Sequence, residues 1–313
     1  MTLDLHGQGK GLLAILPDRV DAIYIRIASQ DGILSLTLKI PHNDSSPGAE
    51  PAFRPFDLIA GAADQRLILF CDHASNALPP AYGDLGLCRE ALGRHIAFDI
   101  GAEKVVRRLA ALTGAAAALA LFSRLLIDPN RGEDDPTLVM RISDGALIPG
   151  NARIGEEEIA RRVETYWRPY RAACAGLIDS ALARGQIPVL IGIHSFTPCF
   201  QGCARRWQAG VLWDKDPRLA LPLIEGLRAE NIVVGDNEPY DGALLGDSMY
   251  EHSTRRGLPG ALIEIRQDLL ETPAHCEAWA ERLARVVAPI LSRAETRGIE
   301  FFGSRADPKI SSA

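Results

Sequence analysis

The chain has 313 residues, with 34 Lys and Arg against 40 Asp and Glu, a formal net charge of -6, and 47% hydrophobic residues. That balance supplies a sizeable core for one large or two smaller α/β domains, and with no basic run it excludes a nucleic-acid footprint. No stretch approaches the roughly 18 apolar residues of a membrane span.

The N-terminus carries Asp4 and His6, then only the brief apolar run Gly11 to Leu16 before Pro17, Asp18 and Arg19. A signal peptide needs a longer apolar stretch after a basic start, so a cytoplasmic protein is expected. The six cysteines, Cys71, Cys88, Cys174, Cys199, Cys203 and Cys276, form no CxxC pair. Reduced thiols are therefore expected, rather than a disulfide scaffold or an all-cysteine zinc site.

In chain order, Ile23 to Ile27 and Ile33 to Ile40 alternate as a short hairpin would. The turn-rich segment His42 to Pro51 follows, so residues 1–50 read as an extension and residues 51–313 as the main domain. Arg66 to Cys71 predicts a buried strand ending abruptly in Asp72-His73. Glu90 to Thr113 predicts a helix stopped by Gly114, and Ala115 to Phe122 an apolar strand. A long helix is expected over Glu156 to Arg184, kinked or divided at Pro169. Ile187 to Ile193 is the next strand and ends at His194. Pro217 to Glu230 reads as a helix, Ile232 to Val234 and Gly260 to Ile265 as strands, and His275 to Thr296 as an amphipathic helix.

Strands alternating with helices predict a mostly parallel sheet covered on both faces, with ligands gathering where strands end. His73, His194 and Glu264 all stand at or near such ends. The phosphate and nucleophile motifs GxxxxGK[ST], GxGxxG and GxSxG are absent, and so is HExxH. Two imidazoles beyond strands suit a metal, or else each caps its strand by hydrogen bonding. Beyond another strand, Arg124, Asn130 and Arg131 can fork onto a carboxylate, although Asp128-Pro129-Asn130-Arg131-Gly132 is also ordinary turn chemistry. Glu264 lies inside the apolar Ala261 to Ile265 and needs a partner or a cavity, because an unpaired buried carboxylate is costly. A salt bridge with Arg266 two residues on is not expected to supply one.

Taken together, Asp72-His73-Ala74-Ser75-Asn76, Ser123-Arg124 through Asp128-Pro129-Asn130-Arg131, Ile193-His194-Ser195 and Glu264-Ile265-Arg266 resemble the N-formylglutamate amidohydrolases. Tyr166-Trp167-Arg168-Pro169-Tyr170 matches a further segment of that family, and the resemblance runs from about residue 65 to about residue 300 in the family's order. It implies a three-layer α/β/α fold around a mixed, mostly parallel sheet, similar to zinc carboxypeptidases and aspartoacylase-type deacylases. By the same likeness His73 and His194 are zinc ligands, and Glu264 is the general base. Asn130 and Arg131 hold the substrate carboxylate, with Arg266 placed beside them as a binding residue. Arg124 polarises the scissile carbonyl or joins the clamp.

One departure matters. Where the carboxypeptidase-like ligand motif is HxxE, this chain has Asn76, and a carboxamide brings no charge to offset a metal. The third ligand is then Asn76 itself, Asp72, or Asp99, which falls four residues after His95 on one face of the predicted helix; that pair is equally an ordinary helical contact. The expected activity is hydrolysis of the N-acyl amide of an acidic amino acid, with N-formyl-L-glutamate leading and one zinc ion as cofactor. Alternatives are a deacylase of other acyl amino acids, a carboxypeptidase-like peptidase, or a catalytically silent binding protein of the same fold. The partner is a small N-acyl amino acid, without nucleic acid or membrane. A helper role for His252 and the oligomeric state stay open.

Overall fold

The structure, a computed structural model, describes residues 53–307 and the strand residues 2–3, 11–12, 22–29 and 32–39. By contacts the chain divides into two units, Met1–Ala52 and Phe53–Ala313. In the first, Ala22–Ser29 pairs antiparallel with Gly32–Lys39.

The second unit is built on seven strands: β1 (Phe56–Ile59), β2 (Leu67–Cys71), β3 (Ala116–Ala120), β4 (Val189–Phe196), β5 (Ala209–Leu212), β6 (Val234–Asp236) and β7 (Gly260–Arg266). Their order is β6-β5-β7-β4-β2-β3-β1. The pairs β3/β2, β2/β4, β4/β7 and β5/β6 are parallel. The pairs β5/β7 and β1/β3 are antiparallel, so the sheet is mixed and mostly parallel. The strands β1 and β5 went unpredicted: β1 follows a proline-rich stretch, and β5 is only Ala-Gly-Val-Leu.

The main helices are α1 (Ala102–Thr113), α2 (Glu156–Arg162), α3 (Arg168–Ala183), α4 (Pro217–Ala229), α5 (Ser248–His252) and α6 (Pro273–Leu291). Successive strand side chains point to opposite faces. Leu67, Leu69, Ile191, Ile193 and Ile263 therefore pack under α1, α4 and α6. Ile68, Phe70, Leu190 and Leu262 pack against Tyr166, Tyr170, Cys174 and Ile178 of the α2–α3 side. Helices thus cover both faces, and the three-layer α/β/α arrangement is complete.

The long predicted helix over Glu156 to Arg184 forms with a local irregularity. The chain stays helical throughout, but a π-helical turn, Val163–Trp167, lies between α2 and α3 immediately before Pro169 and accommodates its missing N–H. The predicted helix over Glu90 to Thr113 is corrected more deeply. Only Arg89–Leu92 and α1 are helical, and the chain between them turns at Gly93 and again at Gly101. Gly101 adopts the left-handed φ of +84°, and a methyl group there would stand 2.5 Å from Leu270 Cβ. His95 and Asp99 are therefore not neighbours on a helix face.

Gly101→Ala should destabilise the protein by about 2 kcal/mol or more, from left-handed strain plus overpacking. A lowered midpoint of denaturant unfolding checks this; an unchanged midpoint would mean that the turn at Gly101 relaxes without cost.

Candidate active site

Four segments meet where the parallel strands end. Register places His194 beside Glu264 on the adjacent strands β4 and β7, so both side chains project from the same face of the sheet. His73 follows β2, and its carbonyl accepts the backbone N–H of Asp99 at 2.9 Å. The same interstrand turn carries Ala97, whose carbonyl accepts the N–H of Arg124 at 3.2 Å. These backbone bonds set Asp99 and Arg124 against the strand ends without any help from a helix.

His73 Nδ1 lies 3.3 Å and His194 Nδ1 2.8 Å from Asp99 Oδ2, all three residues being buried. The ligand-type atoms of this trio lie within 4.8 Å of one another. The outward nitrogens are held separately: His73 Nε2 is 2.7 Å from Asp128 Oδ1, and His194 Nε2 is 3.3 Å from Asp72 Oδ2. A carboxylate on Nε2 fixes the proton there and turns the Nδ1 lone pair inward, as metal-binding histidines require. Two imidazoles and one carboxylate, each braced from behind, form a donor set that fits a zinc-type ion.

The bracing groups are ionised. Burial works against charge on Asp72, but hydrogen bonds from His194 and from Tyr170 Oη, at 2.7 Å, hold its carboxyl at about 2. Burial likewise opposes Asp128, yet Arg124 and His73 hold it well below the usual carboxylate range. Asp99 is also lowered against its burial, by His73 and His194. Arg124 donates to Asp128 at 3.0 Å and to Asp99 at 3.4 Å, while its buried Nε–H has no hydrogen-bond partner among the described residues.

Glu264 is different. It is 7% exposed, makes no ion pair among the described residues, and its Oε2 is buried without a hydrogen-bond partner. Burial pushes its carboxyl up to about 7; the charge of His194 pulls the other way and that of Asp99 adds to the rise. A carboxyl poised there suits a proton acceptor working near neutrality.

His73, Asp99, His194, Arg124 and Glu264 line one cavity of about 290 Å³, with Asn130, Arg131, Ser195, Trp213 and Tyr240 among its other walls. Asn130 Oδ1 accepts the Ser248 N–H at 3.0 Å. Its Nδ2 donates no hydrogen bond within the described residues. Arg131 is tied through Nε to Thr137 and through Nη1 to the Asn130 carbonyl, which holds its fork in place.

Two expected site residues, Asn76 and Arg266, are not brought here, and neither is His252, whose role was open. Asn76 is exposed, and its Nδ2 donates to the Leu92 carbonyl at 2.8 Å, so it is no neighbour of the imidazoles. The guanidinium of Arg266 is engaged by Asp268 and by the carbonyls of Arg205 and Trp207, outside the cavity. His252 packs beneath the sheet against the Phe70 ring at 5.5 Å and does not line the cavity. Asp99 does stand in the trio, although the helix that suggested it does not exist. Asp128 and Tyr170 carried no assigned role in the sequence. A signal for Asp128 was present: it ends the apolar Leu125-Leu126-Ile127 as Asp72 ends its strand.

A mixed α/β/α sheet with this cavity at its strand ends is the architecture of an α/β protein that binds its ligand at the strand termini. Residues 65–271 match the sequence profile of the N-formylglutamate amidohydrolases, and the chain belongs to that family. A crystal structure of a gene product from Agrobacterium tumefaciens is 32% identical, with a TM-score of 0.73 over 77% of this chain and 96% of that one. That of N-formylglutamate amidohydrolase from Ralstonia eutropha JMP134 is 21% identical, with a TM-score of 0.59 over 75% and 96%, and shares the fold. No curated protein sequence matches the chain.

His252 offers a check on the separation of core from site. Burial, reinforced by the charge of Arg171, lowers its pKa from 6.5 to about 3. The folded protein keeps it neutral while the unfolded chain protonates it, so stability is full above pH 6.5 and lost as pH falls toward about 3. His252→Gln should flatten that loss in pH-dependent unfolding, with substrate affinity unchanged. A weakened substrate affinity would return His252 to the site.

Proposed function

We propose that the chain hydrolyses the N-acyl amide of an acidic amino acid, with N-formyl-L-glutamate as the leading substrate and zinc as the metal. Family membership supports the amidohydrolase chemistry. The observation that carries the reading is Glu264, a buried carboxylate without a partner, in register beside a braced His194. The other buried carboxylates of the cavity region are engaged: Asp72, Asp99 and Asp128 face cationic partners, and Asp247 accepts the Tyr250 N–H as an N-cap.

His73, Asp99 and His194 would hold the ion, which supplies Lewis acidity at the scissile carbonyl and to water. Asn130 Nδ2 and the Arg131 fork bind the substrate carboxylate and orient the amide in the cavity. The Arg124 Nε–H faces the developing negative charge on the acyl oxygen. Glu264 accepts a proton as water oxygen bonds to the acyl carbon, then returns it to the amide nitrogen as the C–N bond breaks. Formate and glutamate leave.

Glu264→Gln should retain metal and substrate binding while turnover falls by about 10²–10⁴. Arg131→Ala should act mainly on KM. Steady-state kinetics with metal analysis separates the two, and unchanged turnover in a fully metal-loaded Glu264→Gln protein would remove the base from the mechanism. Undiminished formate release after chelation would remove the metal.

Asp128→Asn should weaken zinc affinity by about 10–100-fold, because it loosens the brace behind His73. Competition with a fluorescent chelator measures this, and parent-like affinity would mean that the brace is not needed.

A further inference from the structure

Beyond the catalytic cavity lies a second chamber of about 390 Å³. The two share the walls Arg124, His95, Thr197 and Tyr240. Neither the metal-type trio nor Asn130, Arg131 or Glu264 lines the second chamber. A substrate with one carboxylate on Asn130 and Arg131 and its carbonyl at the trio still has two groups to place, its second carboxylate arm and its acyl substituent, and of these only the acyl substituent is uncharged. A formyl group has just a hydrogen there.

The chemistry of the chamber selects what could fill it. Ile96, Met140 and Phe200 supply apolar wall. Its one carboxylate, Asp144, is already engaged by Arg94 at 2.6 Å and stands 3.6 Å from His95. The Nη atoms of Arg124 are taken by Asp99 and Asp128, so no free charge remains for an ionic group. Arg205 stiffens the side shared with the cavity: it lies 5.0 Å from the centres of both the Phe200 and Tyr240 rings and donates to Tyr240 Oη at 3.0 Å. An uncharged, largely hydrocarbon chain meets these walls without leaving a buried charge unpaired.

We propose that this chamber is an acyl-chain subsite, and that the enzyme accepts N-acyl acidic amino acids whose acyl group is a hydrocarbon chain of several carbons. The inference rests on the amidohydrolase reading above and extends it. The reaction keeps its balance: water oxygen bonds to the acyl carbon, the C–N bond breaks, and the proton passes to the departing amine. A fatty carboxylate replaces formate as product.

The test compares N-formyl-, N-acetyl- and N-hexanoyl-L-glutamate on the metal-loaded protein. The acetyl and hexanoyl amides have similar intrinsic reactivity, so their ratio reads the chamber. The hexanoyl substrate should exceed the acetyl one in kcat/KM by about tenfold or more, the worth of even one well-seated methylene. Calorimetry on Glu264→Gln should find the same preference in Kd, without turnover. Ser143→Trp, which fills the chamber, should abolish the preference and leave formyl hydrolysis as it is. Phe200→Ala, at a side chain 43% exposed, should weaken the preference without threatening the fold. Formyl cleavage with no hexanoyl advantage overturns the subsite and leaves the deformylase reading standing. A hexanoyl advantage that survives both variants overturns the chamber as its location. Absence of cleavage with all three substrates, on a protein with full zinc, overturns the reading and the subsite together.

Discussion

The structure depends on balancing charge that has been taken out of water. Asp72, Asp99 and Asp128 are each no more than 4% exposed and held ionised, against two imidazoles and Arg124. An uncompensated charge in such a place costs several kcal/mol, so each carboxylate has to be met by an opposite partner at short range. With Arg124, a divalent ion set between the two rings would bring three positive charges to these three carboxylates. Glu264 stands outside this balance, so its carboxyl keeps proton affinity to spare near neutral pH, as does that of Asp247, which burial also raises but which is taken up as the N-cap of α5.

Much of this was legible in the chain. Apolar runs interrupted by a charged residue located β2, β4 and β7, and with them His73, His194 and Glu264, although β4 and β7 run two residues past the interruption and set His194 and Glu264 on the sheet face rather than beyond its end. Alternation of strands and helices was enough for the layer architecture. The misreadings share a cause: long-range closure is invisible to local spacing. Asp99 reaches the histidines through a turn set by Gly101 and by the His73 carbonyl, not through helical periodicity. Asn76 follows His73 by the right interval, yet the turn after β2 carries it out to Leu92. Arg266 looked available because Asp268, two residues on, and the carbonyls across the strand were not counted against it. Asp128 was passed over because a Pro-Asn turn explains an aspartate without asking what stands in front of it.

The π-helical turn between α2 and α3 ties the far side of the sheet to the same balance. It leaves Tyr166 in the core and brings the Tyr170 hydroxyl to Asp72, one helical turn further on. Each residue of a helix advances the chain by about 100° around its axis, so the count of residues across Val163–Trp167 sets which side of α3 faces the strands. Loss of one residue would swing Tyr170 away and leave Asp72 with His194 alone. The identity of the exposed side chains in that turn is of little consequence to the site. Its length is not: drift by insertion or deletion is closed to this segment.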